Sequence, residues 1–280
     1  MISVYEALQG KSDNLLKEDE YRNESGVICC KHCHSPRQIM LPVEGKLIYP
    51  RVLCLCQSEE RDRLEAERKA RIQREEIQRN RSVGIPDPVL QKHTFENSQG
   101  FNQEAMRIAR SYCKRWDTLK AESLGLCFWG DVGTGKTYIA GCIANDLLDR
   151  GVRVLMTNFS RLLNRLTDLQ MGDRNSYIDS LNAYELLVID DFGIERNSEF
   201  AKEQCFSIVD SRYRRGLPMI VTTNLTLEDM KHPDDLWRKR IFDRIQERCI
   251  PVCVNDQNIR GINRARALER GRELLLSGAT

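Results

Sequence analysis

The pattern of apolar and polar positions changes character along the chain. Residues 57–82, QSEERDRLEAERKARIQREEIQRNRS, hold almost no apolar side chain, and opposite charges recur three or four positions apart, where they meet on one helix face. A solvated helical linker is expected, with no face to bury. It ends at Gly84-Ile85-Pro86-Asp87-Pro88, where two prolines and a glycine make further helix costly. Beyond that point short apolar runs alternate with helical patterns. The expected elements are a helix over 102–121, a strand over 124–129, a helix over 136–149 and a strand over 152–157, with later strands over 186–190, 218–223 and 249–254. Strands separated by helices predict an α/β fold with a mainly parallel sheet flanked by helices.

Composition narrows the possible classes. A chain of 280 residues with 41% hydrophobic content has room for one α/β domain and a smaller unit. No run approaches the ~18 apolar residues of a membrane-spanning helix. The start, MISVYEALQGKSDNLL, lacks a basic region, a long apolar stretch and a small-residue cleavage site, so a cytoplasmic protein with no membrane partner is expected. The charge of +2 is a small difference between 43 basic and 41 acidic residues, so any nucleic-acid contact must come from a local patch. Eleven cysteines, an odd count without an export signal, argue for free thiols or a metal site rather than disulfides.

Residues 130–137 read Gly130-Asp131-Val132-Gly133-Thr134-Gly135-Lys136-Thr137, a complete P-loop pattern after an apolar strand and before a helical sequence. Glycines let backbone N–H groups close around phosphate oxygens, and the helix aims the positive end of its dipole at the same anions. Lys136 adds a charge for the β and γ phosphates of ATP, and the Thr137 hydroxyl is placed to ligate Mg2+. Downstream, Leu186-Leu187-Val188-Ile189-Asp190-Asp191 is an apolar strand ending in two carboxylates, the form of a Walker B segment. Asp190 would sit behind Mg2+, and Asp191 is the candidate base or water-orienting group. The strand ending VTT is followed by Asn224, whose amide could hold the γ phosphate or the water if the two strands are neighbours.

Five cysteines, Cys29, Cys30, Cys33, Cys54 and Cys56, crowd one short region. Cys30-x-x-Cys33 and Cys54-x-Cys56 supply four thiolates suited to tetrahedral Zn2+, and the excursion between them contains Pro36, Pro42, Gly45 and Pro50, as in a loop-rich module held by metal. Cys29, His32 and His34 are alternative ligands, and an iron–sulfur cluster is the alternative metal group. Four cysteines leave no open position, which points to structural rather than catalytic zinc. The six scattered cysteines read as core filler.

The order of the P-loop, LLVIDDFG, VTTN and an arginine-rich helix resembles the AAA+ ATPases, and within them the bacterial and phage replicative helicase loaders of the DnaC and DnaI type. The resemblance runs over roughly residues 85–260 and includes IPDPVLQKHTFEN, NLTLEDM and Arg240-Ile241-Phe242-Asp243-Arg244-Ile245. A related resemblance is to IstB-type transposition helpers. It implies that Arg244 acts across a subunit boundary as an arginine finger, with Arg240 as the alternative. It also implies that Arg260, in Asn258-Ile259-Arg260, is a second sensor arginine contacting the nucleotide, and that the cysteine module resembles the helicase-binding module of such loaders.

The organisation expected from this is a zinc-binding, helicase-interacting module at 1–56, a charged helical linker at 57–84 and an AAA+ ATPase domain at 85–280. The implied function is ATP-dependent loading of a hexameric replicative helicase onto single-stranded DNA, with self-association through the ATPase domain and Mg-dependent hydrolysis as a switch. The alternatives are an IstB-like transposition helper and a protein that holds nucleotide without turnover. Arg161, Arg165, Arg212, Arg214 and Arg215 are candidate phosphate contacts, and Phe159, Tyr177 and Tyr213 are aromatics with no assigned stacking role.

Overall fold

A computed structural model describes residues 16–277 other than 44, 99, 194–197 and 234. It contains two compact units that divide between Arg74 and Glu75.

Among the described residues, the first unit contains two short hairpins. Strand β1 (Glu20–Arg22) pairs antiparallel with β2 (Ile28–Cys30), and β3 (Leu41–Val43) pairs antiparallel with β4 (Lys46–Ile48). Among the described residues its buried apolar set is small, with Ile28, Cys29, Cys30, Ile48 and Cys54, so additional ties matter. One is Glu20, a buried carboxylate that accepts from Arg37 Nη1 (3.0 Å) and Arg51 Nη1 (2.6 Å).

The charged segment forms helix α1 (Leu55–Gly84), within which the division between the units falls. It is laced by surface pairs such as Arg63–Glu60 and Lys69–Glu65, both at 2.8 Å. Its last residue, Gly84, has no room for a side chain, since a Cβ would lie 2.1 Å from the Val154 carbonyl oxygen, and Pro86 two residues on cannot continue the helix.

The second unit is a five-stranded sheet. Its strands are β5 (Gly125–Trp129), β6 (Val154–Asn158), β7 (Leu186–Phe192), β8 (Met219–Thr223) and β9 (Cys249–Cys253), in the order β6-β7-β8-β5-β9, every pair parallel. One face packs on α2 (Gln103–Lys114) and α4 (Lys136–Asp149), through Leu126, Phe128, Val188 and Ile220 with Ala109, Ile143 and Leu147. The other packs on α5 (Phe159–Thr167), α6 (Met171–Leu181) and α7 (Glu199–Arg214), through Cys127, Leu187, Ile189 and Val221 with Leu162, Ile178 and Ile208. Strands covered on both faces read as continuous apolar runs, which is why alternation was absent from the sequence. The remaining helices are α3 (Trp116–Ala121), α8 (Leu227–Lys231), α9 (Leu236–Arg248) and α10 (Ile259–Ser277).

The expected helix over 102–121 is two helices, broken at Arg115 (φ −103°, ψ 18°), where the chain turns to bury Trp116 beside Tyr112. Of the scattered cysteines, Cys113, Cys127, Cys142, Cys205 and Cys249 are buried, whereas Cys253 is exposed. Among the described residues, no helix is long and apolar enough to cross a membrane.

Candidate nucleotide site and cysteine cluster

The nucleotide site forms where β5 passes into α4. Gly130, Gly133 and Gly135 all take positive φ, at 137°, 83° and 101°. Their lack of side chains also admits the segment after β9. A Cβ on Gly130 would lie 2.1 Å from Asn255 Oδ1, and one on Gly133 would lie 2.6 Å from Asn258 Oδ1. Asn255 Oδ1 accepts from the Asp131 N–H (2.7 Å), the Arg260 N–H donates to the Gly133 carbonyl (3.2 Å), and Asn258 Oδ1 accepts from the Gly261 N–H (2.9 Å) at the start of α10. The phosphate loop is thus braced by residues more than a hundred positions away, which no local pattern reveals.

Lys136 is buried, and its Nζ donates to the carbonyls of Gly130 (2.8 Å) and Asp131 (2.6 Å). Burial pushes its pKa down, against the opposing pull of Asp191, Asp131 and Asp190. Thr137 Oγ1 donates to Asp190 Oδ1 (2.9 Å), which also accepts from Thr222 Oγ1 (2.6 Å). Burial raises the Asp190 pKa, and the neighbouring Asp191 charge adds to the rise, while the bonds from Thr222 and Thr137 oppose it.

These groups face one cavity of about 740 Å³, whose walls include Val132, Gly133, Gly135, Lys136, Thr137, Asp190, Asp191, Asn224 and Arg260. It therefore collects, from four separate stretches of sequence, most of the residues expected to act on a nucleotide. Gly130, Asp131 and Thr134 belong to the same loop; Thr134 is tied down through its carbonyl, which accepts from Asn102 Nδ2 (2.6 Å). The rest of the lining lies outside those motifs. It contains His93, Asn97, Phe101, Met106 and Tyr138, with the His93 and Tyr138 rings 4.8 Å apart and the Tyr138 hydroxyl donating to the Thr94 carbonyl (2.8 Å). Burial lowers the His93 pKa, which favours the neutral ring. Isolated aromatics carry no motif, so only their convergence exposes this part of the lining.

Arg244 is not among the residues lining the cavity; it lies on α9 and pairs with Asp210 of α7. Arg212 is a correction: it is 1% exposed, and its guanidinium is spent on the carbonyls of Leu181, Tyr184, Glu185 and Pro218, out of reach of any phosphate. Arg214 pairs with Asp210 and Arg215 with Asp179, while Arg161 and Arg165 are exposed. Phe159 is buried in the core against Phe192, and Tyr177 and Tyr213 are half-buried, the latter donating to Glu247.

In the first unit the sulfurs of Cys30, Cys33, Cys54 and Cys56 all lie within 4.8 Å of one another. Cys30 Sγ and Cys56 Sγ are 3.7 Å apart, and Cys54 Sγ and Cys56 Sγ 3.3 Å. Ligands about 2.3 Å from a tetrahedral Zn2+ would stand about 3.8 Å apart, so the set fits that ion. Of the two adjacent cysteines it is Cys30 that joins the group, while Cys29 is buried in β2; His34 instead meets the Tyr21 hydroxyl (3.2 Å).

A family model described as IstB-like ATP binding protein matches residues 61–267. The chain belongs to the IstB-like ATP-binding protein family. The chain is 32% identical over 166 residues to the replicative helicase loader DnaC of Escherichia coli K12, a match covering 57% of this chain and 65% of that protein. The solved DnaC helicase loader superposes with a TM-score of 0.52 at 23% identity, covering 60% of this chain and 99% of that one. DnaI gives a TM-score of 0.51 at 23% identity, covering 60% and 94%. The second unit therefore has the AAA+ fold of an ATP-binding protein, and the α/β architecture with its parallel sheet is that of these relatives.

Proposed function

We propose that this chain is a Mg-dependent ATPase that loads a hexameric replicative helicase onto single-stranded DNA. The observation that carries the reading is the joining of Lys136, Thr137, Asp190, Asp191, Asn224 and Arg260 around one cavity, a set that storage of a nucleotide alone would not require. In this reading residues 130–137 hold the phosphates and Arg260 meets them from the start of α10. Thr137 and Asp190 would hold Mg2+, whose charge offsets that developing in phosphoryl transfer; their oxygens already lie 2.9 Å apart. Asp191 and Asn224 orient the attacking water, and Arg244 completes the site of a neighbouring chain, so that turnover depends on assembly.

The zinc-fitting module is the helicase-binding part, residues 1–56, tethered by the charged helix at 57–84 to the ATPase at 85–280, all in the cytoplasm. The likeness to DnaC supports this over transposition, as does the addition of a cysteine module to an ATPase core. The family model favours a second reading, an IstB-like helper of transposition.

The test is capture of a purified replicative helicase by the full chain with ATP, beside Lys136→Ala and a chain lacking residues 1–82. Capture that is lost with residues 1–82 supports the loader. Absence of capture by a zinc-loaded, ATP-binding sample, together with capture of a transposase, replaces it with the second reading.

A further inference from the structure

Asp190 and Asp191 both line the cavity, which a regular strand does not arrange, because successive side chains leave it on opposite faces. The register of β7 on β8 resolves this. Ile189 pairs with Val221 and Phe192 with Thr223, so Asp190 and Asp191 together oppose the single residue Thr222. This is a bulge in a parallel ladder, where bulges are rare, and bulges re-aim side chains beside active sites. The extra residue takes the left-handed conformation, with Asp191 at φ 53°. Aspartate tolerates that region better than most side chains, but the surroundings must hold it there.

Thr222 does the holding. Its side chain is fully buried, and its hydroxyl accepts from the Asp191 N–H (2.9 Å), the amide at the bulge where the ladder register breaks. The same hydroxyl donates to Asp190 Oδ1 (2.6 Å), the oxygen that Thr137 Oγ1 reaches from the other side (2.9 Å). A threonine hydroxyl has one proton to give, and here it is given to the carboxylate while a lone pair takes the amide. One buried group therefore maintains the backbone turn that brings Asp191 to the cavity and sets the direction of the Asp190 carboxylate. A valine of nearly the same shape would fill the space and do neither.

We propose that Thr222 is a positioning residue of the nucleotide site, acting through Asp190 and Asp191 rather than on the nucleotide itself. The proposal rests on reading the cavity as a Mg-dependent ATP site. Thr222 belongs to no local motif, whereas Asn224, two residues on, carries a recognisable one. The two are linked in consequence, since the strand that delivers Asn224 to the cavity also seats the carboxylate pair.

The test compares the full-length protein with Thr222→Val, Thr222→Ser and Thr222→Cys. It reads thermal unfolding, affinity for a fluorescent ATP analogue with and without Mg2+, and turnover against Mg2+ concentration. Expected for Thr222→Val is a folded protein with metal-free nucleotide affinity within about twofold of the parent and a Mg2+ requirement raised about tenfold or more, as for loss of a group orienting a metal ligand. Its kcat falls while KM for the Mg complex changes little, and Thr222→Ser restores both. If Thr222→Val does not fold, Thr222→Cys, a poor donor of similar size, takes its place against Thr222→Ser. A folded valine or cysteine variant with the parental Mg2+ requirement and kcat, or a serine variant no better than valine, overturns the proposal. A parent protein that shows no turnover removes the ATPase reading instead, while the Mg2+ dependence of analogue binding still decides the role of Thr222.

Discussion

Arg244 grips Asp210 twice, through Nε at 2.7 Å and Nη2 at 2.6 Å, and its guanidinium lies 4.8 Å from the centre of the Phe206 ring. This pair joins α9 to α7 inside one chain, so a finger role requires Arg244 to exchange Asp210 for a neighbour's γ phosphate. Arg244→Ala is expected to leave ATP affinity unchanged and to lower turnover by about 10³-fold at concentrations where chains associate. Mixing Arg244→Ala with Lys136→Ala chains should regain activity, because one supplies the phosphate loop and the other the arginine. Full activity of Arg244→Ala alone would assign the residue to the α7–α9 pair.

Arg212 makes a different prediction from the same helix. Its buried guanidinium donates to the carbonyls of Tyr184 (2.6 Å), Glu185 (2.9 Å) and Pro218 (3.0 Å), and burial pushes its pKa down to about 9. Arg212→Met leaves these acceptors buried and unpaired, so urea unfolding should show a loss of about 3 kcal/mol or more. Arg212→Lys, with one point donor group in place of a planar fork, should recover only part of it.

The cysteine cluster should hold one Zn2+ per purified chain, its expected role being structural, since four thiolates leave no open coordination position. Cys54→Ser should lower metal content and melt the hairpins of the first unit, measured by metal analysis and amide exchange. Nucleotide binding should stay within about twofold of the parent, because the cavity residues all belong to the second unit and a unit with its own core folds on its own contacts. Loss of nucleotide binding on chelation would show instead that the units are coupled.

Glu20 gives the first unit a defined acid response. Burial raises the pKa of its carboxyl, but the Lys17 N–H and the guanidinium groups of Arg51 and Arg37 outweigh this and bring it from 4.5 down to about 2. A depressed carboxylate pKa adds stability that is complete above the unfolded value and is lost as the pH falls. Protection of the β1–β2 amides should therefore decline between pH 4.5 and 2 in the parent. Glu20→Gln should remove that part of the decline and be less protected at neutral pH. Identical profiles for the two proteins would count against the buried triad.

Much of the site could be read along the chain, because its requirements are local. A phosphate loop needs glycines, a lysine and a hydroxyl within one turn, so residues 130–137 declare themselves, and a strand buried on both faces must be a run of apolar residues, as Leu186 to Ile189 are. The cysteine pairs are legible for the same reason, since each pair sets two thiols within one tight turn, although the meeting of the two pairs is not local. Charge, by contrast, says nothing about burial: Arg212 and Arg215 are alike in the sequence, yet one is sealed under the sheet and the other pairs at the surface.

The amino-acid sequence by itself determined that this chain binds a nucleotide on an α/β core and carries four clustered thiols, because each of those features is a short-range demand on backbone and side chain. Only the tertiary structure decided how the site is held. Asn255 and Asn258 brace the phosphate loop, His93 and Tyr138 join the cavity lining, and Thr222 sets two adjacent carboxylates toward the cavity. Each of these depends on segments brought together by the packing of the sheet, and a hydrogen bond between residues far apart in sequence leaves no local trace of the partner it needs.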